Sequence, residues 1–198
     1  KELNLIGSFT NYPYAGYNHS SILTPDGKTL IVTDEVPGSL PGKSVDVTDL
    51  TNPILIDTFY SQSGKATLHN PFLAPNNTFV MASYLDGIQV FDYANPKKIH
   101  LRGYFDTHWQ TDSTNTDGGY DGAWSAYTQL PSKNVIVVDI TNGLYVLDAS
   151  KAYYPEVSKT KTVSAVKIRT YPNPSDNGFR IEIPTTVSGK LEVKVIAT

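Results

Sequence analysis

The sequence predicts an all-β chain whose larger part is a partial β-propeller of about three blades, each a four-stranded antiparallel sheet. Three observations predict it. One pattern of strands and turns recurs three times, its interval is that of propeller blades, and no long helix-forming run interrupts the short β-rich segments.

Each recurrence opens with an apolar strand, a polar turn and a second apolar strand. These are Tyr17–Glu35 (YNHSSILTPDGKTLIVTDE), Thr67–Leu85 (TLHNPFLAPNNTFVMASYL) and Tyr120–Ile140 (YDGAWSAYTQLPSKNVIVVDI). A third strand follows in each: KSVDVTD, GIQVFDY and GLYVLDA. After the first two come the turns Asn52-Pro53 and Asn95-Pro96, then a fourth strand, ILIDTFY and KIHLRGYF. Fifty residues separate His19 from His69, and 56 separate Gly87 from Gly143. A four-stranded blade takes about 40–50 residues. Pro-Asp-Gly at 25–27 and Asn76-Asn77 are turn formers placed between paired apolar runs. The opening NLIGSF, Asn4–Phe9, aligns with the fourth strands ILIDTF and HLRGYF, and is expected to be the last strand of a blade whose other strands lie upstream. The third blade reaches Leu147-Asp148 with no fourth strand in sight.

Composition narrows the function. The 198 residues suffice for one domain and a smaller piece. Charged residues make up 18% and the net charge is -3, which gives no electrostatic basis for nucleic acid or an anionic membrane as partner. With no cysteine there is neither a disulfide nor a thiolate metal site. No apolar run approaches the roughly 18 residues of a transmembrane helix.

Up-and-down strands place alternate loops at one end. That end is expected to gather His19 and His69 at the starts of first strands, with Asn70. It also takes the second-strand ends Asp34-Glu35, Tyr84 and Asp139, the long connections 10–18, 61–68 and 106–120, and Trp109, Asp121 and Trp124. Loops held on a rigid scaffold are where binding residues concentrate. A protein or glycan partner is expected there, with no cofactor required. His19, His69 and Glu35 or Asp34 are the candidates for a divalent metal, since imidazole and carboxylate suit zinc. The alternative for the same histidines is structural hydrogen bonding between blades. Asp34 and Glu35 should point apart by strand alternation, which makes them a poor acid–base pair. Ser113, Asn115, Asp117 and Gly118 echo a calcium loop, but Trp124 stands where its bidentate Glu belongs. No nucleophile motif and no phosphate loop occurs, so no enzyme activity is expected. The competing function is a metal-dependent hydrolase at the channel mouth.

The Asp46–Pro53 turn (DVTDLTNP) and GLYVLDA resemble LVIVD-repeat propellers. Residues 4–150 look like the secreted "choice-of-anchor B" proteins, with His19, Thr33-Asp34-Glu35, His69-Asn70, Gly103–Asp106 and Gly122–Ser125 carrying the resemblance. That resemblance implies no activity. Further on, YPNPSDNGFRIEIP (Tyr171–Pro184) is similar to the start of type A type IX secretion C-terminal sorting domains. Its marks are Tyr171, Pro172, Asn173, Pro174 and Gly178 before an alternating strand. Asp112-Ser113-Thr114 resembles the O-glycosylation sites of bacteria with that pathway. The resemblances imply a chain organised as a partial propeller (1–155), a linker (156–167) and the N-terminal part of a truncated β-sandwich sorting domain (168–198). It would be cargo for the type IX translocon and outer-membrane shuttle components. It would cross the periplasm of a Gram-negative cell and be secreted or displayed on the surface.

Overall fold

The computed structural model describes residues 2–109, 120–155, 169–171 and 180–182. The chain divides into two compact units, Lys1–Glu156 and Val157–Thr198. Of the second unit, β12 (Arg169–Tyr171) and β13 (Arg180–Glu182) pair antiparallel. Pro172, Asn173, Pro174 and Gly178, the 156–167 segment and the 113–118 loop lie outside the described residues.

The first unit is all-β but for one helical turn. Strands β1 (Tyr17–Leu23), β2 (Thr29–Val36), β3 (Gly42–Asp46) and β4 (Ile54–Phe59) form a sheet in sequence order. Strands β5 (Asn70–Ala74), β6 (Thr78–Ala82), β7 (Ile88–Asp92) and β8 (His100–Phe105) form a second sheet of the same order. Strands β9 (Ala123–Tyr127), β10 (Asn134–Asp139) and β11 (Gly143–Asp148) form a third, three-stranded sheet, followed by the short helix α1 (Ser150–Tyr153). All neighbours are antiparallel.

Local chemistry sets these strands. Around the Pro-Asp-Gly turn the Thr24 N–H donates to the Thr29 carbonyl and the Thr29 N–H to the Thr24 hydroxyl, and in the tight turn between Ala74 and Thr78 Asn76 and Asn77 both take positive φ, 58° and 54°. Each third strand ends in an aspartate, Asp46, Asp92 or Asp148. Its Oδ1 accepts the backbone N–H two residues on, at 2.9, 2.6 and 2.9 Å, and this local bond turns the chain out of the sheet.

The sheets stack in chain order, and strand alternation divides the core between them. From the second sheet, Phe79, Met81 and Phe91 meet Ile31 and Phe59 of the first. Its opposite-facing Val80, Ala82, Ile88 and Val90 meet Ala123, Ala126, Val135 and Val137 of the third, with Tyr153 of α1. Both faces of the middle sheet are thus covered, and every residue of β6 and β7 is buried. The first strands β1, β5 and β9 are successive neighbours.

The N-terminal segment departs from expectation. Residues 4–9 form no strand, because a fourth strand needs the edge of a third and the first sheet already has its own β4. The segment instead crosses the outer face of that sheet, where Phe9 packs on Val32, Val45 and Val47. Among the described residues, no helix is long and apolar enough to cross a membrane.

Candidate functional site

The pairing of β1 with β2 slips twice near its end. Asn18 faces Asp34 and Ser20 faces Thr33, so His19 is left without a cross-strand partner. Tyr17 faces Val36, so Glu35 is left out likewise. Residues expelled from the ladder by such irregularities are re-aimed. His19 and Glu35 turn toward one another, with Nδ1 and Oε2 3.3 Å apart. The third sheet repeats the device: Ser125 faces Val138 and Ala123 faces Asp139, which leaves Trp124 unpaired.

His69 enters from the connection into β5. Its backbone N–H donates to the Ala82 carbonyl (2.9 Å), and its own carbonyl accepts the Thr33 hydroxyl (2.7 Å), a buried bond between the first and second sheets. The imidazole is fully buried. It stacks on His19 with centroids 4.3 Å apart and touches the rings of Tyr84 and Trp124, each at 4.6 Å. Nδ1 lies 3.1 Å from the Trp124 carbonyl oxygen and 2.9 Å from Asn70 Nδ2, which itself donates to that carbonyl at 3.0 Å. Nε2 points at Glu35 Oε1 from 3.7 Å and has no hydrogen-bond partner. Burial pushes the imidazole below its ordinary range, and nearby His19 adds to this, while the Trp124 carbonyl and Glu35 act in the other direction.

Tyr84 closes the back of the cluster. Its hydroxyl donates to Glu35 Oε1 at 2.6 Å. Burial, and then the Glu35 carboxylate, raise the phenol far above its ordinary value, so it remains a donor. Tyr84 holds a φ of 44°, and its backbone bridges to Ala123 in both directions, at 3.1 and 3.0 Å. The approach is possible because residue 122 is glycine. A Cβ there would lie 2.2 Å from the Tyr84 carbonyl oxygen, and the φ of 105° excludes side chains as well. Tyr120 packs edge-on to Tyr84 at 5.3 Å.

Of the residues expected at this end, His19, Glu35, His69, Asn70, Tyr84 and Trp124 come together. The others do not. Asp34 faces away, as strand alternation requires. Its carboxylate takes the fully buried Lys43 ammonium at 2.7 Å, the Tyr12 hydroxyl at 3.0 Å, the Gly16 N–H at 3.1 Å and Asn18 at 3.2 Å. Asp139 accepts the N–H groups of Thr141 and Asn142 at 2.8 and 2.7 Å and so shapes the β10–β11 turn. Trp109 and Asp121 are exposed and make none of the contacts that hold the cluster. Tyr12, on the 10–18 connection expected at this end, belongs to the Asp34 network. Lys43 and Tyr120 carry no expectation from the sequence, and Thr33 enters there only through the Thr33-Asp34-Glu35 resemblance.

Among the described residues, His19, Glu35 and His69 are the one group of three His, Asp or Glu side chains whose ligand atoms lie close together, all within 4.8 Å. An apolar cavity of about 340 Å³ lies elsewhere, between the second and third sheets, lined by Val80, Val90, Val135 and Leu147 among others. It holds none of the cluster residues. No protein-family model and no curated protein matches the chain.

Proposed function

We propose that the chain is part of a secreted or cell-surface β-propeller that serves as a binding scaffold. Its C-terminal tail addresses it to the type IX translocon and outer-membrane shuttle. The observation that carries the scaffold reading is the neighbourhood of β1, β5 and β9. In a propeller the first strand of every blade lies nearest the axis, and residues at the starts of those strands meet at the channel mouth. His19, His69 and Trp124 hold that position on successive sheets, and the partly exposed His19, Glu35 and Trp124 present imidazole, carboxylate and aromatic groups to a partner. Such a mouth suits a protein loop or a glycan, whose rings stack on exposed aromatics such as Trp124.

The export reading rests on Tyr171-Pro172-Asn173-Pro174, Gly178 and the strand after it; β12 and β13 pair across this segment. The hydrolase alternative is less favoured, because Glu35 is engaged with His19 and the Tyr84 hydroxyl, and Asp34 with Lys43. Neither carboxylate is left as a general base.

A periplasmic reporter carrying the tail from Lys167 onward, expressed in a type IX-competent host, tests the export reading. The reporter is expected at the cell surface or in the medium. Periplasmic retention of an intact, folded tail refutes the assignment and leaves residues 168–198 as an accessory domain.

A further inference from the structure

We infer that His19, Glu35 and His69 form a zinc-class divalent-metal site with three protein ligands and one position open to an oxygen ligand from solvent or a partner. The inference is independent of the export reading and survives its failure.

The donor set comes first. Two imidazoles and one carboxylate match the nitrogen and oxygen preferences of zinc-class ions, and a three-residue set leaves the fourth tetrahedral position for water or an exogenous group. Distances agree. Ligand atoms at 2.0–2.2 Å around a tetrahedral ion stand about 3.3–3.6 Å apart. Glu35 Oε2 lies 3.3 Å from His19 Nδ1, and Oε1 lies 3.7 Å from His69 Nε2. Loading an ion on one carboxylate oxygen draws together three ligand atoms that already lie within 4.8 Å of one another.

The second observation is the unsatisfied nitrogen. With its proton on Nδ1, given to the Trp124 carbonyl, His69 turns the Nε2 lone pair toward a carboxylate, acceptor against acceptor. With the proton on Nε2, Asn70 can donate to Nδ1, but the Nε2–H faces Glu35 across 3.7 Å and makes no bond. Neither tautomer satisfies a ring that has no access to water. A cation between Nε2 and Glu35 resolves the first arrangement. It is also the one typical of metal-binding histidines, whose other nitrogen donates to a backbone carbonyl. The Trp124 carbonyl, with two lone pairs, then accepts both the His69 Nδ1–H and the Asn70 amide.

The surroundings complete the case. The Tyr84 hydroxyl on Glu35 is an outer-shell bond that orients the carboxylate, and the packed rings of Tyr84 and Trp124 hold His69 in place. The side chains of His19 and Glu35 remain 25% and 16% exposed, so the cluster has an entry path.

Titration of the metal-free full chain with cobalt(II), followed by visible absorption, tests the inference. One equivalent is expected to bind with a tetrahedral spectrum and to be displaced by zinc. Glu35→Gln and His19→Ala, both at partly exposed positions, should each weaken binding at least tenfold, and Tyr84→Phe by about tenfold. His100→Ala, on a separate sheet edge, should leave it unchanged. Far-UV circular dichroism establishes that each variant is folded, which matters because His69→Ala empties a buried position. Absence of stoichiometric binding overturns the inference, as does full-strength binding in folded Glu35→Gln or His19→Ala.

Discussion

Replacing Lys43 with Met separates charge from packing at the best-defined polar group in the first sheet. The wild-type ammonium is wholly buried and meets Asp34 at 2.7 Å. Methionine preserves most of the stem and removes the charge. Breaking a buried ion pair from one side costs about 3–5 kcal/mol. Asp34 keeps donors from Tyr12, Gly16 and Asn18 in this variant, which places the cost near the lower figure. Asp34→Leu strands the other charge. Lys43 then has the Tyr12 ring, 5.6 Å from Nζ, as its remaining neighbour, and the cost moves to the upper figure. At roughly 2–4 °C per kcal/mol for a domain of this size, the thermal midpoint should fall by roughly 6–12 °C for Lys43→Met and roughly 10–20 °C for Asp34→Leu. The pH dependence provides a second readout. Burial alone would raise the Asp34 carboxyl, but Lys43, Tyr12 and Gly16 together hold it below the ordinary range. A depressed folded-state value stabilises fully above the unfolded value of about 3.9, and that stabilisation is lost as pH falls through the folded value. The gap between wild type and Lys43→Met should therefore narrow in acid below about pH 4. Midpoints followed by circular dichroism at pH 7 and at pH 3–4 decide the matter. A neutral-pH shift under about 2 °C, or a gap that does not narrow in acid, refutes the reasoning.

Two further outcomes follow from the packing. Gly122→Ala forces a Cβ to 2.2 Å from the Tyr84 carbonyl oxygen at a φ of 105°; it should cost more than about 1 kcal/mol and lower the melting temperature, and an unchanged melt would show that the 84–123 bridge does not constrain the fold. The third sheet exposes Leu144, Val146 and Val138 at 64%, 60% and 44% beside an edge of β11 that no described strand pairs, so the 198-residue chain made alone should self-associate as concentration rises. Leu144→Lys with Val146→Lys should suppress that association in light scattering, and a wild-type chain monomeric at every concentration contradicts it.

The strands were legible because their signals are local. Asn76-Asn77, Pro-Asp-Gly and the strand-ending aspartates act within a few residues, and alternating apolar positions decide which face is buried. The N-terminal Asn4–Phe9 segment carries the same composition as β4 and β8 yet forms no strand, because strand formation depends on a free edge that its own residues do not supply. At the site, alternation correctly sets Asp34 and Glu35 on opposite faces. Choosing Glu35 as the partner of both histidines depends on register slips at residues 17–20, which no residue pattern marks. Lys43 was hidden for a related reason: only the folded sheet brings it beneath Asp34 and encloses both.

The Thr33 hydroxyl bond to the His69 carbonyl ties the first sheet to the second. His19 and Glu35 lie on one hairpin and can meet as soon as it forms, whereas His69 arrives only when the second sheet docks. A lone hairpin offers two ligands and holds an ion loosely; docking adds the third and commits it. Loading thus waits for tertiary structure, and a chain kept unfolded during transport carries no ion with it. Its metal would be drawn from the pool of the compartment in which the sheets first come together, not from the one in which the chain was made.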